Sequence, residues 1–345
     1  MEAKTTVADH HVVVPEDGPA ARVFRYFPGI AAALVVALAA KFLEGLGLGP
    51  ALMIALICGL LLNFMSADVA AKPGVQFAAK HMLAAGVALL GARLTLGDVI
   101  ALGWTAAITV ALAMAAVMVV SWYAAKALRL SVRLGILAGC GTAICGASAA
   151  VAAASVFRKD GDLERDTALV VITVVVLSAI AMIVYPILAH GLGLTDLEAG
   201  VFLGGSIHNV PQAVGAGYTF SEPAGDLAAL TKLYRVSLLA PIVVGISLMV
   251  GAGGKPSLRS IGIPWFVVVF ALLVILSSVV TLPPAVKDGL TGASNWLLLI
   301  AIGAIGMNTS IASIRTVGGR VVLLVLLNST VLAGLLLGAA FSGVF

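Results

Sequence analysis

The chain has 345 residues, 61% of them apolar and 10% charged, with a formal net charge of +4 and a mean hydropathy of +1.14. Soluble domains run near 45–50% apolar and about 25% charged, and a single soluble core has too little interior for this much apolar surface. A soluble globular enzyme is excluded, and the continuous apolar runs do not fit the short alternating segments of a β-barrel. What remains is an all-α polytopic membrane protein. Glycine, 38 of 345 residues, exceeds its usual share of ~7%; in an apolar chain that fits tight helix packing and broken backbone.

Residues 1–27 are polar and read as a tail. The apolar run that follows has no A-x-A-like cleavage site, so it reads as a retained first helix rather than a signal peptide. A single membrane domain then occupies 28–345. A crossing helix needs about 20 apolar residues. Such runs fall at 28–46, 50–66, 75–93, 98–124, 131–157, 167–190, 198–218, 226–252, 263–281, 288–307 and 319–344. They are separated by glycine–proline pairs, charge clusters and glycines.

Two runs are unusual. The 131–157 segment holds Cys140-GTAICGASAAVAAA and the 198–218 segment holds Gly204-GSIHNVPQAVGAG. Aligning Ile144 with Ile207, an offset of 63, pairs Gly141 with Gly204, Ala150 with Ala213 and Val151 with Val214. Paired segments rich in glycine and small polar residues predict two broken or re-entrant helices that meet near the membrane midplane. A weaker echo matches Leu89–Ile100 with Ala304–Ile314 and pairs Gly91 with Gly306. The two echoes together predict inverted repeats.

Lysine and arginine counts test the topology. Lys80, Lys232 and Arg235 lie within runs and are set aside. With all eleven runs crossing and the N-terminus inside, 11 basic residues fall inside and 6 outside. With both unusual runs as re-entrant hairpins there are nine crossings, and the counts become 14 and 3. The hairpin arrangement is favoured, although residues 158–166 carry a net charge of −1. The counts predict a cytoplasmic N-terminus.

Ionisable groups inside a span are costly and mark function. The deep ones are Lys80, His81, His208, Lys232 and Arg235, while Glu44, Asp98 and Asp226 sit near run ends. Buried cations without a carboxylate call for an anion from elsewhere. Lys232 and Arg235 are three apart and share a helix face; arginine offers a planar fork of donors suited to an oxyanion. The candidate substrate-binding set is Gly141, Thr142, Cys145, Gly146 and Ser148 from the first segment, Gly205, Ser206, His208, Asn209 and Gln212 from the second, and Lys232 with Arg235. Serine and threonine hydroxyls and free backbone N–H groups are expected to meet the anion, with His208 as donor or proton relay. Cys58, Cys140 and Cys145 match neither a disulfide framework nor a metal site. No catalytic group, cofactor or metal is expected, and no basic–aromatic surface argues for nucleic acid.

The stretches CGTAICGASAA, GGSIHNVPQAVGAG, LTKLYRVSLLAP (Leu230–Pro241) and LLGARLTL (Leu89–Leu96) together resemble the YeiH-like sulfate exporter family, over nearly the whole chain from about residue 28. The resemblance implies a bacterial inner-membrane transporter with inverted repeats, related in fold to the cation-antiporter and bile-acid-symporter superfamily. It implies export of sulfate or sulfite linked to metabolism of sulfonates such as taurine. The family's usual S-x-H-E-V-A-Q reads here Ser206-Ile207-His208-Asn209-Val210-Pro211-Gln212, and Ala143 stands where serine is common. Asn209 carries neither proton nor charge, which removes a coupling carboxylate if relatives use one. His208, Gln212, Lys232 and Arg235 match the pattern. The leading expectation is a secondary transporter exporting a small oxyanion by alternating access. The alternatives are a cation-coupled organic-anion transporter, a proton or cation antiporter, and a channel. A homodimer is the fold-level expectation for assembly.

Overall fold

The structure, a computed structural model, describes residues 19–157, 161–250, 265–280, 282–309 and 318–345. Among these there is helix and turn and no strand. The first crossing is α1 (Pro19–Gly45), which begins nine residues before the apolar run and has Pro28 inside it. Next come α2 (Ala51–Leu61) with a 3-10 turn at Asn63–Ala67, then α3 (Lys72–Phe77), a π turn (Ala78–Met82) and α4 (Leu83–Leu90), which form one interrupted helix. The short α5 (Leu96–Ala101) leads into α6 (Gly103–Ala127). The first unusual run is α7 (Val132–Cys140), a π turn (Gly141–Cys145) and α8 (Ala147–Ala154). After α9 (Gly161–Gly191), the second unusual run is α10 (Asp196–Ser206) and α11 (Val210–Phe220). The chain continues through α12 (Glu222–Ser237), α13 (Leu239–Val250), α14 (Trp265–Val279), α15 (Pro284–Asn308) and α16 (Gly319–Phe341). Among the described residues six stretches are long and apolar enough to cross a membrane: those starting at Arg25, Gly103, Gly161, Glu222, Pro284 and Gly319. The protein is an all-α polytopic membrane protein. Exposed apolar side chains such as Val35, Leu38, Ile108, Leu112, Val184 and Ile187 cover its outer helices, as a lipid-facing surface requires.

Polar caps fix where helices start at the bundle ends. Thr95 and Asp98 form a reciprocal capping box on α5, and Thr195 and Glu198 do the same on α10. The Ser131 hydroxyl accepts from the Leu134 N–H at α7, and the Ser221 hydroxyl accepts from the Ala224 N–H at α12. Each cap satisfies N–H groups that have no intrahelical partner and contributes about 1 kcal/mol.

Contacts give the direction of each half-helix. Gly200 lies against Ala224 and Leu227, and Gly204 against Ala228 and Thr231, so α10 runs parallel to α12. Gly217 lies against Ala224, Gly225 and Ala228, so α11 runs antiparallel to it. The Ser221 hydroxyl donates to Asp196, joining the end of α11 to the start of α10. These two half-helices are therefore a hairpin that returns to the end it entered. The first run behaves alike. Gly135 and Gly139 step backwards along Ser121–Ala125 and Met118 of α6, Arg133 pairs with Asp166 at 3.2 Å, and Gly141 meets Val170 and Val174. Thus α7 runs parallel to α9, and α8 ends six residues before α9 begins. Since α9 is 31 residues long, about 46 Å at 1.5 Å per residue, the two hairpins enter from opposite ends of the bundle.

Followed through the described residues, the chain makes nine traverses and two hairpins. Of the described basic residues outside the traverses, Arg25, Lys72, Lys126, Arg129, Arg133, Arg165 and Arg320 lie at the end where the first hairpin enters. Lys41, Arg93 and Lys287 lie at the other. Arg158, Lys159, Lys255, Arg259 and Arg315 lie outside the described residues, as does the Ser310–Ile314 part of the second echo. Its glycines Gly91 and Gly306 are at opposite ends, and each touches a neighbouring backbone carbonyl, of Phe270 and Leu56 respectively.

Two apolar clusters result. A smaller one joins α1, α2, α3 and α15 through Ala33, Val36, Ala55, Val75 and Ala304. A larger one runs through α6 to α13 and α16 and takes in Leu56 of α2, Leu90 of α4, Phe270 of α14 and Leu298 of α15. Arg93, on the turn after α4, bridges the two bundles with Nε 2.9 Å from Asp226 and Nη2 2.9 Å from Glu222. The Tyr218 hydroxyl donates to Asp226 at 2.6 Å. Partial burial works against the Arg93 charge, but the Asp226 carboxylate holds its pKa above the ordinary arginine value. Cysteines placed at Arg129 and Asp162 should react with a membrane-impermeant maleimide from the same side of the membrane, and one at Lys287 from the opposite side. Reaction of the first two from different sides would contradict the first hairpin.

Candidate functional site

The hairpin tips meet because of two local devices. In the first, the Gly146 N–H donates to the Gly141 carbonyl at 2.8 Å, which closes the π turn. Gly146 then adopts φ 69° and ψ −130°, a region open to glycine and strained for other residues. A Cβ there would also overlap the Asn209 side-chain oxygen. In the second, α10 stops at Ser206 because Ile207 turns extended, with ψ 138°. Asn209 is extended too, and Pro211 occupies the first turn of α11. Proline has no N–H, and a first-turn N–H has no intrahelical acceptor, so Pro211 sacrifices no helical hydrogen bond. The Asn209 N–H donates to the Ser178 hydroxyl of α9 at 3.1 Å. The touching residues Gly146 and Asn209 are separated by 209 − 146 = 63, the same offset that aligns the two segments.

Helix α12, parallel to α10, carries Lys232 and Arg235 to this crossing, where both are 0% exposed. Lys232 Nζ donates to the Ile144 and Ile207 carbonyls, each at 2.8 Å. These are the two residues that the sequence alignment pairs. Arg235 Nε donates to Ala143 O at 3.0 Å. Its Nη1 donates to Gly204 O and Ile207 O at 2.9 Å, and its Nη2 to Thr142 O and Ala143 O at 2.8 Å. A guanidinium has five N–H donors, and all five face carbonyl oxygens. No carboxylate lies within ion-pair reach of either cation among the described residues. The two acids of α12, Glu222 and Asp226, are held by Arg93.

The expectation that both cations face the substrate therefore needs correction. Their first partners are the C-terminal ends of α7 and α10. The last carbonyls of a helix have no intrahelical partner and carry about half a negative charge, so two cations at two such ends satisfy both needs. The hydroxyls are also spent within their own helices: Thr142 donates to Ala138 O at 2.9 Å and Ser206 to Phe202 O at 2.6 Å. Ser148 is exposed, and its Oγ lies 3.1 Å from Cys145 O and 2.8 Å from Cys145 Sγ. Gly205 packs against Leu336 of α16, away from the tips.

The crossing also keeps unspent polar groups. His208 Nε2 is 2.8 Å from the Ser329 hydroxyl, and that hydroxyl donates to Val325 O at 2.7 Å. The His208 Nδ1 is buried and has no hydrogen-bond partner. Gln212 Oε1 and Thr231 Oγ1 are buried and unpartnered as well. The N-terminal turns of α8 and α11 begin at Gly146 and Asn209, so the positive ends of two helix dipoles lie at the same place.

Other predicted residues lie elsewhere. Lys80 and His81 are exposed on the π turn of the α3–α4 helix, with His81 against the Phe77 ring at 4.9 Å. Asn63 donates to Met307 O at 2.6 Å and so caps the end of α15. Among the described residues no cluster of His, Cys, Asp and Glu is placed to hold a metal ion. Sequence reasoning missed Ser178 and Ser329, the immediate partners of the second tip. It also missed Asn328, whose amide donates to Ser121 Oγ at 2.8 Å, which in turn donates to Gly135 O at 2.7 Å. Their signal was one or two polar residues in the middle of an otherwise apolar run.

The family model described as Conserved hypothetical protein 698 matches residues 28–325. A UPF0324 membrane protein of Rhizobium meliloti (strain 1021) is 41% identical over 333 residues, which is 95% of each chain. The UPF0324 membrane protein TauZ of Paracoccus denitrificans is 43% identical over 315 residues, 89% of this chain and 92% of the relative. A UPF0324 membrane protein of Bacillus cereus is 31% identical over 318 residues, 90% and 93% of the two chains. No solved structure matches. With the family model spanning both hairpins and α12, and relatives aligned over almost their whole length, the chain belongs to the UPF0324 family of membrane proteins.

Proposed function

We propose that this protein is a secondary transporter that exports a small divalent oxyanion, sulfate or sulfite, across the bacterial plasma membrane. In this reading the arginine-rich end, where α1 begins, is cytoplasmic. The observation that carries the reading is the charge balance at the hairpin crossing. Lys232 and Arg235 contribute +2, and no carboxylate among the described residues offsets them. Each half-helix end adds about half a charge; two negative C-terminal ends and two positive N-terminal ends cancel. About two positive charges are left over, and a dianion is the guest that neutralises them.

The substrate sits at the N-terminal side of the crossing, where the first N–H groups of α8 and α11 and the Asn209 amide donate to its oxygens. Lys232 and Arg235 act on it through space, while their N–H groups stay on the carbonyls. The resemblance to the YeiH-like sulfate exporters supports this substrate class. The smaller bundle moves against the larger one, with the Arg93–Asp226–Glu222 contact closing one end. An inside-negative membrane potential favours exit by about 2.3 kcal/mol per charge per 100 mV, so roughly 4.6 kcal/mol for a dianion.

Protein reconstituted into liposomes should release sulfate or sulfite with saturation, faster when the compartment facing the arginine-rich end is negative. No flux above empty liposomes at either polarity would overturn the assignment. Asn209→Asp places a carboxylate against the two surplus charges. It should slow oxyanion flux about tenfold or more, one decade for each 1.4 kcal/mol of lost binding, and abolish thermal stabilisation by sulfite. Undiminished stabilisation in that variant would remove the substrate from the hairpin tips.

A further inference from the structure

In transporters built on broken helices, unwound carbonyls and the C-terminal ends of half-helices are where a coupling cation binds. Here the corresponding oxygens are Thr142, Ala143 and Ile144 of the first hairpin and Gly204 and Ile207 of the second. Every one of them already receives a hydrogen bond from Lys232 or Arg235. Both cations come from one turn of one helix, and both are fully buried. We propose that Lys232 is a covalently tethered occupant of a monovalent-cation site between the two hairpins, so that the protein binds and moves its anion without a coupling cation. This rests on the oxyanion reading above for its transport half. The binding half stands on the geometry of the carbonyls.

The ammonium group has the character of a compact point charge on a flexible stem. Its two carbonyl contacts at 2.8 Å place Ile144 O and Ile207 O at most 2.8 + 2.8 = 5.6 Å apart. Truncating the side chain leaves those two oxygens facing an emptied space the size of the lost head group. The oxygens come from different hairpins, so the vacated site draws in whatever small cation restores the bridge. Free ammonium and methylammonium reproduce the lost head group in charge and donors. Thr142, Ala143, Gly204 and Ile207 keep Arg235, so the emptied site is local to Lys232 and Ile144 O is the carbonyl left without a side-chain donor.

The test compares wild type with Lys232→Ala, purified in ammonium chloride and exchanged into N-methylglucamine chloride, free of substrate. Thermal unfolding is the first readout. Wild-type Tm should be the same in sodium, potassium, ammonium and N-methylglucamine chlorides of equal ionic strength. The Lys232→Ala Tm should be lower in N-methylglucamine and rise saturably with ammonium or methylammonium. A Tm rise in wild type specific to sodium or potassium, or a variant blind to ammonium, would overturn the proposal. If Lys232→Ala does not purify, Lys232→Gln keeps donors for the two carbonyls without the charge; its Tm should then remain ammonium-independent while its anion flux falls, and an unchanged flux would count against the tethered charge. Flux is the second readout. Wild-type oxyanion efflux should not change when N-methylglucamine is the only bulk cation, whereas Lys232→Ala should slow about tenfold or more and recover with ammonium, as expected for loss of a buried charge from its partners. Efflux that stops in N-methylglucamine and returns with sodium refutes the tethered-cation idea and leaves the oxyanion assignment intact. Absence of oxyanion efflux in every medium, with the Tm pattern as expected, refutes the transport assignment and leaves the site.

Discussion

Everything at the centre of this molecule depends on two cations of α12 holding the carbonyl ends of two helices that come from opposite ends of the bundle. Burying a lysine and an arginine costs several kcal/mol per ion even after the surroundings relax. Leaving five helix-end carbonyls unpaired in an apolar interior is costly too. The seven hydrogen bonds from Lys232 and Arg235 let each problem offset the other. They also tie both hairpins to α12. One hairpin is brought to the other by a helix that packs along both halves of the second.

That arrangement separates two jobs that a first reading of the charges merges. Arg235 has no N–H left for a ligand, so it is a positioning residue that also sets the local field. The groups free to touch a ligand lie on the far side of the tips: Asn209, the unpartnered Nδ1 of His208, the Gln212 carbonyl, and the first N–H groups of α8 and α11. Gly146 makes this possible, because only a residue without a Cβ allows Asn209 to approach so closely.

Much of this was legible in the sequence. The eleven apolar runs match the observed helices closely, since hydrophobic length is what the bilayer selects. The hairpins followed from glycine and small polar residues together with the placement of Arg158, Lys159 and Arg165. The alignment of Ile144 with Ile207 even named the pair that shares one ammonium. The destination of the cations was not legible. A side-chain pattern shows that Lys232 and Arg235 lack carboxylates, but their true partners are backbone oxygens, which every residue carries and no residue type announces. Long-range pairs such as Arg93 with Asp226 and His208 with Ser329 were hidden for a different reason: single polar residues in apolar runs do not say which neighbour they meet. The helical start of α1 at Pro19 was missed because its first turns are not apolar.

The most direct measurement is a structure of the purified protein with bound sulfite, at a resolution that shows carbonyl oxygens. The account predicts the oxyanion at the N-terminal turns of α8 and α11 beside Asn209, with the Arg235 guanidinium still on the Thr142, Ala143, Gly204 and Ile207 carbonyls. A guanidinium swung away from those carbonyls and clasping the anion with two N–H groups would contradict it.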